Sequence, residues 1–94
     1  MPPRYDEYEL TDSAYRHGYD DEDFAQMLRG RILVIHSRRG RLVGEEVFGR
    51  NAAGVYLHAV GRVVKSGAGQ VLRVFHLNRM KDTDRKRFKR WVRP

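Results

Sequence analysis

VYLHAVGRVVKSGAGQVLRVFHLNRM, residues 55–80, decides how this chain folds. Two apolar, β-branched runs flank Ser-Gly-Ala-Gly, the pattern of two long antiparallel strands joined by a turn. Side chains alternate across a strand, so the parity of the pairing decides which face each one occupies. With an odd number of unpaired residues in the connection, Val55, Leu57, Ala59 and Val63 share a face with Val71, Phe75 and Leu77. The opposite face then gathers Tyr56, His58 and Arg62 with His76 and Asn78. An even connection mixes the sets and puts histidines on both faces. The odd register segregates apolar from polar residues better and is the expectation. It leaves Arg73 on the core side and Val60, Val64, Leu72 and Val74 among the polar group.

Upstream, RILVIHS is another apolar, β-branched run, followed by the turn-prone RRG and then LVGEEVF. GRNAAG makes the next loop, with Gly49, Asn51 and Gly54 as its punctuation. These runs extend the pair to a four-stranded antiparallel meander. Before it, TDSAYRHG reads as a short helix that Thr11 or Asp12 caps and Gly18 stops in a left-handed conformation. DDEDFAQMLRG reads as a second helix, with Asp20 and Asp23 at capping-box spacing and Phe24, Met27 and Leu28 on one face. His17, just before Gly18, reads as a partner for the C-terminal end of the first helix dipole, and His36 as an edge-strand residue with no visible partner. Residues 1–10 carry two prolines and no period, and read as a loose lead-in. Residues 83–93 form the last predicted helix, with Asp82 as N-cap and Phe88, Trp91 and Val92 as the stripe that packs on the sheet. The expected class is α+β: two short N-terminal helices, the four-stranded meander and a C-terminal helix in one domain over 1–94, with the helices against one sheet face.

The 94 residues include no cysteine, which excludes a disulfide framework, a thiolate metal site and a cysteine nucleophile. The four histidines lack close ligand spacing, so neither a metal nor another cofactor is expected. No apolar run approaches membrane length, and the polar, acidic start does not read as a signal peptide; a cytoplasmic protein with no membrane partner is the expectation. Charge is unevenly distributed. Residues 1–23 hold two arginines against eight acids, whereas residues 24–94 hold 17 cations against four acids. Such asymmetry points to a basic surface for nucleic acid or an acidic protein, with the N-terminal part held off it.

A face bearing Tyr56, two histidines, Arg62 and Asn78 beside a cationic helix suits RNA, because rings stack on bases and cations hold phosphates. It also suits metal-free RNA cleavage. That reaction needs a base for the 2′-hydroxyl proton, a cation for charge growing on phosphate and an acid for the leaving oxygen. His58 and His76 are the candidates for the proton work, and Arg62 and Arg79 for the charge. A strand histidine more often serves as a half-buried packing residue, and Trp91 reads most simply as a core anchor.

Three segments resemble the small toxins of bacterial type II toxin–antitoxin systems, specifically the BrnT-like branch of the RelE/ParE superfamily. RHGYDDEDFAQML is similar to the family's opening, VFGRNAAGVYLHAV to its Gly-Arg, loop and Val-rich strand, and VFHLNRMKDTDRKRF to its closing strand and charged helix. The resemblance covers residues 10–92. It implies a metal-independent, mRNA-cleaving endoribonuclease, neutralised by a cognate antitoxin that is acidic or DNA-binding. The family's strand-end arginine falls on Arg79 and its Gly-Arg arginine on Arg50. Asn78-Arg79-Met80-Lys81 stands where the family reads small–Arg–Arg–Ala, and Arg85 stands near its helix glutamate. A related set of actinobacterial-type domains shares the opening and a His-x-x-x-Arg-like final strand. For this chain the expected catalytic residues are therefore Arg79, His76, His58 and Arg62, and the expected RNA-holding residues are Arg50, Lys81, Arg85, Lys86, Arg90 and Tyr56. RNA and an antitoxin are the expected partners, in a homodimer or a hetero-oligomer with that antitoxin. Two other readings stay open: a non-catalytic RNA- or DNA-binding module, and a subunit whose basic helix seats an acidic partner.

Overall fold

A computed structural model describes residues 7–39, 42–67 and 69–92. Residues 1–6 of the expected lead-in, Gly40 at the RRG turn and Arg93 at the expected helix end lie outside the described residues. The elements are β1 (Glu7–Leu10), a short 3₁₀ helix (Asp12–His17), α1 (Asp21–Arg29), β2 (Leu33–Arg39), β3 (Leu42–Arg50), β4 (Tyr56–Ser66), β5 (Gly69–Arg79) and α2 (Asp82–Trp91). One five-stranded sheet runs β1-β5-β4-β3-β2. The α+β class holds, and the meander of β2 to β5 is antiparallel throughout.

The expected lead-in is corrected, because its last four residues form an edge strand parallel to β5, from Glu7 opposite Val71 to Leu10 opposite Val74. Tyr8 and Leu10 alternate with two glutamates and pack on the core, and the Tyr8 ring meets Phe24 edge-on at 5.0 Å. The amide of Thr11 continues the pairing by donating to the Val74 carbonyl at 2.9 Å. The chain then turns through the 3₁₀ helix, which Gly18 ends at φ +88°. Asp20 and Asp23 form the capping box that starts α1, each carboxylate accepting the other's backbone N–H at 3.0 Å.

The helices cover both sheet faces, a second correction. Ala14 of the 3₁₀ helix and Phe24 and Met27 of α1 bury against Val47, Leu57, Ala59, Leu72, Val74 and Leu77. On the other face Phe88 of α2 buries with Phe48 and Met80, bordered by Leu33, Ile35, Tyr56 and Val92. Phe88 and Val92 are four apart and lie one turn above the other on the sheet side. Trp91 falls off that stripe and is 48 % exposed, so it is not a core anchor. Met80, in the link before α2, occupies the third buried position. The N-cap of α2 is Lys81, one residue before the expected Asp82, and its side chain makes no cap hydrogen bond.

The register of the long hairpin depends on one irregularity. Val60 pairs with His76, but the next residue, Gly61, pairs with Val74, so Phe75 is stepped over as a β-bulge. The extra residue reverses the alternation of β5 beyond it. Leu72 and Val74 therefore enter the core, Arg73 lies opposite Arg62 on the polar face, and Phe75 is 46 % exposed. The expectation of a Val63 face shared with Val71 and Phe75 is corrected accordingly: Val63 lies opposite Leu72. Gly61 permits the close approach, since a Cβ there would sit 2.8 Å from the Arg73 carbonyl oxygen and 3.0 Å from Leu72 Cδ1.

The bulge orders the cost of substitutions in the hairpin. Leu77→Ala, in the core, is expected to lose about 2–5 kcal/mol in urea unfolding. Gly61→Ala is expected to lose about 1–3 kcal/mol by overpacking, and Phe75→Ala less than about 1 kcal/mol. Equal losses at Phe75 and Leu77 would contradict this register.

Candidate functional site

The sheet face that carries α2 is only partly covered by it. The helix packs over Phe48, Tyr56, Leu33 and Ile35. Beyond it the face presents His58, Val60 and Arg62 from β4 and Asn78, His76 and Arg73 from β5, all placed by the cross-strand register. Glu46 of β3 stands opposite Val60 on the same face.

Four of these and neighbouring side chains form a row across the strands. Glu46 Oε1 lies 3.0 Å from His58 Nε2. The His58 ring stacks on Phe48 with centroids 4.4 Å apart and planes 6° from parallel. The His76 ring stands 5.9 Å from that of His58, edge to face. His17, the last residue of the 3₁₀ helix, stands 5.7 Å from His76 on the other side. The row thus runs Glu46, His58, His76, His17, from β3 through β4 and β5 to the segment beyond β1. Its anchor at the edge is a pair of hydrogen bonds to β5 carbonyls: the Thr11 amide donating to Val74 and the Ser13 hydroxyl donating to the bulged Phe75 at 2.7 Å.

Burial is the largest influence on His76 and disfavours its charged form, and the positive charge of His58, His17 and Lys81 adds to it. These causes hold His76 below its ordinary value of 6.5. A neutral imidazole can accept a proton, so the arrangement suits a base. Of these four residues, His76 and His58 are expected from the sequence as site residues, and Glu46 and His17 are not. Glu46 would have followed from the β3–β4 register; His17 could not, because its neighbour is 59 positions along and across the sheet edge.

The other expected site residues are dispersed. Arg62 is exposed on the histidine face. Arg79 pairs with Leu57, on the α1 side of the sheet, and its Nε donates to the Tyr19 hydroxyl at 2.9 Å. It does not converge with the histidines. Tyr56 is a packing residue: the Phe88 ring meets it edge-on at 6.0 Å, with the Arg50 guanidinium 5.4 Å and the Lys89 ammonium 5.2 Å from its centroid. Lys81, Arg85, Lys86 and Arg90 are exposed along α2 and its start, and Arg85 reaches Asp82 at 3.3 Å. Arg50 belongs to a separate open groove of about 640 Å³, lined by Arg29, Arg31, Gln26, Asn51 and Val92 among others. Arg31 there donates to the Val92 carbonyl at 2.9 Å, capping the end of α2. His36, expected to lack a partner, lies 3.2 Å from the buried carboxylate of Glu45 on β3.

Among the described residues no three or more His, Cys, Asp or Glu side chains cluster to hold a metal ion, and no helix is long and apolar enough to cross a membrane. No protein-family model and no curated protein matches the chain.

The lowered His76 makes a pH prediction. Below its ordinary 6.5, the unfolded chain takes up a proton that the folded chain resists, so stability falls as pH drops through the lowered value. Above 6.5 the residue is neutral in both states and contributes no pH dependence. Urea midpoints at about pH 7.5 and 5.5, on either side of the ordinary histidine range, should fall further in the native chain than in His76→Gln. Equal falls would place His76 in an ordinary environment.

Proposed function

We propose that this chain binds single-stranded RNA over the open part of its histidine face and cleaves it without a metal, as a toxin-like endoribonuclease. The observation that carries this reading is the row of three imidazole rings at spacings of 5.7 and 5.9 Å. RNA brings its own nucleophile, the 2′-hydroxyl, so a protein need supply only a base, an acid and positive charge near the phosphate. His76, held neutral by its surroundings, is suited to the base. Lys81 acts on His76 electrostatically and is exposed, which makes it a candidate to hold the scissile phosphate; Arg62, exposed on the same face, is a second. Lys86 and Arg90 are exposed cations further along α2 that flanking phosphates can reach. In this reading Arg79, engaged with Tyr19 on the other face, positions β5 and does not touch the phosphate.

The resemblance to BrnT-like toxins also implies RNA cleavage, but through the strand-end arginine, Arg79, and it adds a cognate antitoxin as partner. A second reading, a non-catalytic RNA-binding module, is favoured by one specific feature: Arg79 is engaged with Tyr19 away from the histidines, and among the described residues no guanidinium is bonded to the row.

Incubation of the folded protein with a short single-stranded RNA in excess chelator separates the two. Cleavage is expected, slowed about 10²–10⁴-fold by His76→Ala and nearly unchanged in Arg79→Ala. Intact RNA, together with retention that weakens steeply as salt rises, would replace the enzyme reading with the binding module.

A further inference from the structure

On the reading that this face cleaves RNA, we propose that Glu46 is a positioning residue. It fixes the tautomer of His58 and so divides the proton work between two histidines: His76 takes the 2′-hydroxyl proton, and His58 delivers one to the leaving 5′-oxygen.

Ionised Glu46 only accepts hydrogen bonds, so its 3.0 Å contact with His58 Nε2 requires the proton to sit on that nitrogen. In neutral His58 the lone pair is then on Nδ1. When His58 is protonated, the Nδ1 proton is the transferable one, because Glu46 retains the other. Phe48 fixes the plane of the same ring by stacking at 4.4 Å, so one strand, β3, sets both the tilt and the tautomer of a residue on β4. The pair is partly buried, with 17 % of the His58 side chain and 29 % of the Glu46 side chain exposed. From α2, the Arg87 guanidinium lies over the far partner of the stack, 5.2 Å from the Phe48 centroid, and pairs with Asp84.

His76 is set differently. Among the described residues the charged and titratable groups that act on it are His58 from β4, His17 from the 3₁₀ helix and Lys81 ahead of α2, none of them a carboxylate. Each disfavours a second positive charge, and burial works in the same direction. Two imidazoles 5.9 Å apart therefore stand in different company, one bonded to a carboxylate and the other beside two further imidazoles and Lys81. That contrast is the condition for separate acid and base roles.

The step balances. The 2′-oxygen loses its proton to His76 as it bonds to phosphorus, the P–O5′ bond breaks, and the departing 5′-oxygen takes the Nδ1 proton of His58. A 2′,3′-cyclic phosphate and a 5′-hydroxyl result. His76 then releases its proton to water and His58 regains one.

Two substrates separate the roles: a diribonucleotide, whose 5′-alkoxide must be protonated to leave, and a ribonucleoside 3′-(4-nitrophenyl) phosphate, whose 4-nitrophenolate leaves without a proton. His58→Ala should lower kcat on the diribonucleotide about 10²-fold, and Glu46→Ala should lower it in the same direction, with both nearly normal on the nitrophenyl ester. His76→Ala should slow both substrates. Glu46→Ala slowing both alike, or neither, would overturn the proposal. Should the folded protein cleave neither substrate, the ribonuclease reading itself falls, and histidine ¹⁵N NMR still decides the role of Glu46. The native chain is expected to show His58 as the Nε2–H tautomer and Glu46→Ala a mixture. An Nδ1–H tautomer in the native chain would overturn the proposal.

Discussion

The contact between Gly61 and the backbone of Arg73 sets the terms for the rest of the molecule. A strand pair tolerates that approach only where one partner lacks a side chain, and it occurs where β5 steps over Phe75. Because side chains alternate, one skipped residue reassigns every position on one side of it. Leu72 and Val74 complete the core under α1, Arg73 joins the polar face beside Arg62, and His76 keeps the face of His58. The bulged Phe75 carbonyl also receives Ser13, which anchors the 3₁₀ helix that ends in His17. Packing and candidate chemistry therefore share one origin.

The histidine row carries an electrostatic tension that the fold resolves locally. Three imidazoles in sequence repel one another when charged, most strongly where His58 and His76 are partly buried. At one end Glu46 offers compensation to His58; in the middle His76 is held neutral by burial and its neighbours. A site that keeps one basic group uncharged near neutral pH beside another that is bonded to a carboxylate is poised for proton transfer. α2 meets this row through Lys81 at its start, while Val92 at its end borders the arginine groove. The helix thus joins the histidine row to the arginine groove, anchored between them by Phe88 on the sheet.

Local signals were legible in the sequence and non-local ones were not. Asp20 and Asp23 name their own helix start, and Gly18 its own stop, because the atoms involved are within a few residues. The four meander strands follow from their β-branched runs and glycine turns. β1 is different: four residues become a strand only because β5, more than 60 positions away, offers an unpaired edge. Trp91 reads as an anchor on a helical wheel, but the sheet selects Phe88 and Val92 and reaches Met80 instead. The bulge is the deepest such case. Gly61 announces that something approaches closely, but not what, and the parity of β5 cannot be read without it. Glu46 and His17 stayed hidden for the same reason, since their value lies in cross-strand neighbours.

The central claim is spatial, that the bulge at Phe75 sets His17, His76 and His58 side by side. Nuclear Overhauser contacts between assigned histidine ring protons test it most directly. Contacts are expected from the His76 ring to both His58 and His17, together with pairing of Gly61 to Val74. Pairing of Gly61 to Phe75, with no contact between the His76 ring and either neighbour, would contradict it.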